Sequence, residues 1–239
     1  MSSRATSIPT PLAAWRDVAT SGLEESERLR ARVAAQPEAP DVELWLVRHG
    51  ETTTNAAGLV TGTTDTPLSV RGRLQAQSAG RAIAGHAFDL GFASNLSRSR
   101  ETLELMTRAG GLAVAHTAQD ARLAERSLGE LERTPIRPRD PRLAVDLALA
   151  PAGGESYLAL TRRSLSFLLD LRDLAARLDR PLAVLVCTHQ GPLRVLVAIL
   201  DAAAVRGRAF ENGAVLRRSL RRIAWPAFAG RGAPDGETG

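Results

Sequence analysis

Two hydrophobic periods alternate along this chain, and each change of period marks an element. Val42–Val47 (VELWLV) is mostly apolar and rich in β-formers, which predicts a strand. Leu182–Thr188 (LAVLVCT) is a continuous apolar run of the kind found in buried strands. Asp89–Ser94 and Leu112–Thr117 are shorter strand candidates, and Ala214–Ala224 is a candidate for a last one. Helical spacing fills the intervals. One run starts after Ser69 and continues through Leu74, Ala76 and Ile83; a second spans Arg98–Arg108, with Leu103 and Met106 three apart. Ser156–Leu178 carries apolar residues at 158, 160, 165, 168, 169 and 171, and Pro192–Leu200 closes the series. Strands alternating with helices predict an α/β fold: a three-layer sandwich with a mostly parallel central sheet and helices on both faces.

The ends and one long connection follow other patterns. Ser21-Gly22-Leu23-Glu24 has capping-box form, and Leu29 and Val33 lie four apart, so a helix is expected over about 22 to 35. Its thin apolar face leaves two readings, packing on the domain surface or partial mobility. Gln36–Pro40 reads as a linker. Residues 126–153 hold four prolines and many arginines and read as an irregular lid. The expected organisation is an N-terminal extension over 1–40, a domain over 41–228 and a disordered tail over 229–239.

Composition narrows the function classes. The chain of 239 residues is 44% hydrophobic and 24% charged, as globular proteins are. No stretch approaches the roughly 18 apolar residues of a membrane span. The first residues lack the basic and apolar regions of a signal peptide. A lone cysteine, Cys187, fits a reducing compartment, so the expectation is a cytoplasmic protein without membrane partners. The net charge is +5, and every basic residue is arginine. Arginine suits oxyanions, so nucleic acid is a partner to weigh. The arginines are scattered among carboxylates, however, and aromatics make up only 4%. No basic block with stacking aromatics exists, and nucleic acid is not expected.

Chemistry converges where strands end. In open parallel sheets, ligands bind beyond the carboxyl ends of the strands. Strand 42–47 runs into Arg48-His49, strand 89–94 is followed by Arg98, and strand 182–188 runs into His189. If the three are parallel, two arginines and two histidines meet at one edge. Guanidinium pairs grip phosphate oxygens, and an imidazole nitrogen in line behind phosphorus is a competent nucleophile. The leaving oxygen then needs a proton, for which Glu125 is the first candidate and Glu130 and Glu132 are alternatives. His189 is expected to add positive charge and to orient His49. A metal pair is disfavoured because Arg48 opposes a cation and no ligand spacing accompanies either histidine. No cofactor is expected. His86 and His116 are read as structural.

Leu46-Val47-Arg48-His49-Gly50-Glu51-Thr52, with Asn55 beyond, resembles the signature of the histidine phosphatase (phosphoglycerate mutase-like) superfamily. The resemblance continues in order through Asp65-Thr66-Pro67-Leu68, Ser94–Thr102, Leu123-Ala124-Glu125 with Gly129, Gly154-Glu155-Ser156 and Thr188-His189, covering about 42–223. It implies that His49 is phosphorylated, that Arg48, Arg98 and His189 complete the phosphate pocket, that Glu125 donates the proton and that Asn55 assists. Thr61 and Gly62 join Asn55 as substrate-binding candidates. Gly153–Tyr157 and Cys187–Gln190, with Arg194, are similar to the fructose-2,6-bisphosphatase-like branch. There, Tyr157, Gln190 and Arg194 would contact a sugar phosphate, with Arg142 as a further contact.

The expected function is therefore a phosphatase for a small phosphorylated metabolite. The alternatives are mutase-type phosphoryl transfer and a non-catalytic phospho-ligand binder on the same fold. Mutases of this superfamily resemble the chain less, since they carry Trp-Asn where Thr54-Asn55 stands here. Residues 1–40 are open to three readings: covering the pocket, pairing two chains as a homodimer, or neither.

Overall fold

The computed structural model describes residues 26–36, 38–137, 147–202, 209–221 and 223. Five strands form one sheet: β1 (Val42–Arg48), β2 (Ala87–Ala93), β3 (Ala113–Gln119), β4 (Leu182–Thr188) and β5 (Val215–Leu220). Their order is β3-β2-β4-β1-β5. The pairs β3–β2, β2–β4 and β4–β1 are parallel, and β5 joins β1 antiparallel. The helices are α1 (Ser26–Ala34), α2 (Thr53–Ala56), α3 (Val70–Ala82), α4 (Ser97–Gly110), α5 (Tyr157–Leu178) and α6 (Gln190–Leu200). The sequence-based elements are all present, with ends displaced by a few residues.

The strand pleat sorts the core into two layers. Val42, Leu44 and Leu46 of β1 and Val184 and Val186 of β4 pack with α5 and α6 through Leu165, Leu168, Leu193 and Leu196. The intervening residues Trp45, Val47, Leu185 and Cys187 point the other way, against Ala76 and Ala79 of α3 and Leu103 and Met106 of α4. A mostly parallel sheet requires such cover on both faces, which explains why β1 and β4 are apolar almost throughout.

Helix α1 packs on this domain. Leu29 is fully buried in the larger core layer, and Arg32 pairs with Asp170 at 2.8 Å and Asp173 at 2.6 Å on α5. Gln36 is tied to Ile223 by two hydrogen bonds, Nε2 donating to the carbonyl and Oε1 accepting from the amide. The predicted start of this helix, the central part of the lid with Arg142, and the tail lie outside the described residues. Among the described residues, no helix is long and apolar enough to cross a membrane.

Register positions the site. Arg48 at the end of β1 lies opposite Thr188 of β4, and Ala93 at the end of β2 lies opposite Cys187. The residues that follow, His49, Ser94 and His189, therefore arrive together at one edge of the sheet. The parallel arrangement assumed from the sequence is what brings them there.

Candidate active site

A cavity of about 410 Å³ opens at that edge. Arg48, His49, Asn55, Thr61, Gly62, Arg98, Glu125, Tyr157, Gln190 and Arg194 all line it, as do Arg126 and Arg137, which the sequence reading had not singled out. His189 does not line it; the ring is fully buried behind His49 and Arg98.

The hydrogen bonds decide which nitrogens carry protons. His49 Nδ1 lies 2.6 Å from the Gly50 carbonyl oxygen, which can only accept. Nδ1 therefore holds the proton, and the lone pair of the neutral ring sits on Nε2. Arg98 Nε donates to His189 Nδ1 at 3.2 Å, so the His189 proton is on Nε2, 2.7 Å from Ser94 Oγ. The two rings lie 4.8 Å apart, tilted by 57°.

This differs from the expected division of labour. The Gly50 carbonyl orients His49, since both nitrogens of His189 are already taken. The surroundings of His189 disfavour its charged form. Burial is the main cause that lowers its pKa well below the usual value, and His49, Arg98, Arg163 and Arg48 act in the same direction. His49 is lowered likewise, by burial first and then by Arg98 and Arg48, against the Gly50 hydrogen bond. Arg48 and Arg98 bring positive charge to the cavity wall.

Arg98 is fully buried near the start of α4. Besides His189, it donates to the carbonyls of Thr64 at 2.9 Å and Gly62 at 2.7 Å. The loop offering those carbonyls is held from outside by Glu132. Its carboxylate accepts from the amides and hydroxyls of Thr63 and Thr64 and from the Leu128 amide, at 2.6 to 3.0 Å. Burial pushes the Glu132 pKa up, but the hydrogen bonds outweigh it and bring it down to about 2. Asp65 completes the loop by accepting from the Ser97 amide and hydroxyl at the start of α4.

Arg48 is held at one end only. Nη1 donates to the Phe210 carbonyl, while the buried Nε has no partner among the described residues. A buried donor left idle beside a cavity is what an anion would satisfy.

Three carboxyls were open as proton donors, and they separate by location. Glu132 is locked in the ionised form, and Glu130 is exposed and away from the cavity. Glu125 lines the cavity. Its Oε1 accepts from the amides of Arg126 at 2.8 Å and Gly191 at 3.0 Å. A Cβ at position 191 would stand 2.3 Å from that oxygen, so only glycine lets the carboxyl approach the N-terminus of α6.

The remaining candidates brace one another. Asn55 Nδ2 donates to Thr61 Oγ1 at 3.1 Å, and Asn55 Oδ1 caps α2 by accepting from the Thr52 amide. Arg194 Nη1 donates to the Tyr157 hydroxyl at 3.3 Å. Gln190 Oε1 accepts from the Phe210 amide. Arg126, nearly buried, stacks on the Tyr157 ring with Cζ 4.1 Å from its centroid. Its position directly after Glu125 was the one available signal for it. Among the described residues, no group of three or more His, Cys, Asp or Glu side chains could hold a metal ion.

A sequence profile of the histidine phosphatase superfamily (branch 1) matches residues 44–223, three quarters of the chain. The chain belongs to the histidine phosphatase superfamily. Its relatives in this superfamily include a mutase and a phosphatase. The 2,3-bisphosphoglycerate-dependent phosphoglycerate mutase of Beijerinckia indica is 34% identical over 191 residues, covering 74% of this chain and 91% of the relative. The adenosylcobalamin/alpha-ribazole phosphatase of Escherichia coli is 32% identical over 167 residues, covering 66% of this chain and 79% of the relative. Among solved structures, a mycobacterial glucosyl-3-phosphoglycerate phosphatase superposes with a TM-score of 0.63 at 26% identity, covering 77% of this chain and 96% of that one. The superfamily and its phosphoryl chemistry follow from these matches.

The histidines predict a pH response. Both are held neutral in the fold, whereas an unfolded histidine titrates near 6.5. With the folded pKa depressed, stability is complete above about pH 6.5 and is lost as the pH falls below it. Each histidine should steepen the loss by about 1.4 kcal/mol per pH unit until its folded pKa is reached. Urea unfolding between pH 7.5 and 5 should show this slope, and His189→Asn should reduce it.

Proposed function

We propose that this protein is a phosphatase that hydrolyses a small phosphorylated metabolite, with the phosphoryl group carried in transit on His49. The observation that carries this reading is the Nδ1–H···O=C bond to Gly50 on a ring that lines the cavity, leaving the Nε2 lone pair as the free nucleophile. In the first step, Nε2 attacks phosphorus and the ester P–O bond breaks. Glu125 gives its proton to the departing oxygen, and the alcohol leaves. In the second step, water attacks phosphorus, passes a proton to the Glu125 carboxylate and releases inorganic phosphate, restoring His49.

The arginines serve the charge in flight. Arg48 offers its idle Nε, and Arg98 is held at the cavity wall by its three acceptors. His189 holds Arg98 at Nε and so acts behind it. Asn55, braced by Thr61, assists at the phosphate, and the Gly62 backbone anchors Arg98.

Water is the preferred final acceptor over an organic one, because Thr54-Asn55 stands where mutases carry Trp-Asn. A sugar phosphate of the kind handled by the fructose-2,6-bisphosphatase-like branch is the favoured substrate. Tyr157, Gln190 and Arg194 line the wall such a group would meet, and Arg126 stacks beside them.

Phosphate release should be measured over sugar, glycerate and nucleotide monophosphates, with and without a chelator. We expect inorganic phosphate from sugar phosphates and no effect of the chelator. Isomerised phosphoglycerate without free phosphate would support a mutase instead. Binding with no release from any ester would point to a non-catalytic ligand reader.

A further inference from the structure

Arg163, on α5, is buried and lies outside the cavity lining, yet every nitrogen of its guanidinium is used. Nη1 donates to the carbonyls of Arg122 at 2.5 Å and Ala124 at 2.7 Å. Nη2 donates to the Glu125 carbonyl at 3.1 Å, and Nε and Nη2 grip the two carboxylate oxygens of Glu155, each at 2.8 Å. Three of these acceptors, the carbonyls of Arg122, Ala124 and Glu125, belong to one short stretch that runs from the 3-10 helix Ala121–Leu123 to Glu125.

The stretch is tied to the fold at its start, where the buried Thr188 hydroxyl donates to the Leu123 carbonyl at 2.6 Å. Beyond Leu123 the backbone becomes extended at Ala124, and neither a strand ladder nor a helix fixes Glu125. The carboxyl end is held by the Arg126 and Gly191 amides, while Arg163 holds the backbone end. Glu155 in turn is anchored by its amide, which donates to the Ser127 carbonyl at 2.9 Å. A planar fork reaching a bidentate carboxylate and three carbonyls at once is a task that lysine cannot copy.

We propose that Arg163, locked by Glu155, is a positioning residue for proton transfer: it sets where the Glu125 carboxyl meets the leaving oxygen. The inference rests on the reading of Glu125 as proton donor given above. General acid catalysis requires hydrogen-bond reach, and a misplacement of about 1 Å costs roughly 10²-fold in rate.

The test compares two esters. 4-Nitrophenyl phosphate releases a stable phenolate and needs no proton, whereas an alkyl phosphate does. Values of kcat/KM for both are measured on the wild type, Glu125→Gln, Arg163→Lys and Glu155→Gln. Glu155→Gln keeps the arginine and its carbonyl bonds, so it preserves the test if Arg163→Lys fails to fold. All three variants should lose about 10²-fold or more on the alkyl ester and only a few-fold on the aryl ester. The double variant Glu125→Gln/Arg163→Lys should be no worse on the alkyl ester than Glu125→Gln alone.

Equal losses on both esters for Arg163→Lys and Glu155→Gln, with Glu125→Gln still selective, would overturn the proposal and leave the proton-donor reading intact. Equal losses for Glu125→Gln itself would remove that reading first. Fully additive losses in the double variant would also count against the proposal.

Discussion

His49→Ala is expected to fold and to lose turnover by roughly 10⁴-fold or more, as removal of a covalent nucleophile does. The side chain makes one local hydrogen bond, to the neighbouring Gly50 carbonyl, and its removal enlarges a cavity that is already open. The variant should therefore melt near the wild type at neutral pH. Wild-type protein quenched in alkali after mixing with labelled substrate should carry label that is stable to base and lost in acid, as a phosphorus–nitrogen bond requires. The alanine variant should carry none. Label of the same stability on the variant would move the nucleophile elsewhere and undo the mechanism.

Arg98→Lys should be nearly as damaging, although it keeps the charge. The guanidinium is wholly buried and connects three acceptors on two elements, the His189 ring and the carbonyls of Gly62 and Thr64. A single ammonium cannot span them, so at least one buried acceptor is left unpaired, at about 1–3 kcal/mol. Under the proposed mechanism, the planar donors facing the transferring oxygens disappear as well. Loss of one such preorganised donor costs roughly 10²–10³-fold in kcat. Steady-state kinetics and a thermal melt on the same sample should show both effects. Wild-type kcat with a lowered melting temperature would mean that Arg98 is only a brace.

Much of this molecule is legible in its sequence. The strands came from continuous apolar runs, and runs such as VELWLV and LAVLVCT have that form because both faces of the sheet are covered. Arg48, Arg98 and His49 were legible because a parallel sheet delivers the residues after its strands to one edge. Glu125 could be named but not separated from Glu130 and Glu132. That choice depended on which carboxyl the loop folds outward, and Glu132 is consumed by five donors that lie far from it in sequence or in an adjacent turn.

Other features had no local signal. Helix α1 is weakly amphipathic because its apolar attachment is Leu29 and the partly buried Val33, and the rest is Arg32 bonded to Asp170 and Asp173 on α5. Those ion pairs, unlike the two apolar residues, have no period. For His189 the sequence shows only a place after β4, whereas its full burial and its bonds to Ser94 and Arg98 come from the fold.

Sequence alone determined the layered α/β architecture and the meeting of imidazoles with guanidiniums at one sheet edge, because hydrophobic period and residue order are one-dimensional quantities. Only the tertiary structure decided which ring nitrogen is free, which carboxyl faces the cavity and what holds it there. Those depend on distances of about 3 Å between residues that lie far apart along the chain, and on burial that no single segment sets by itself.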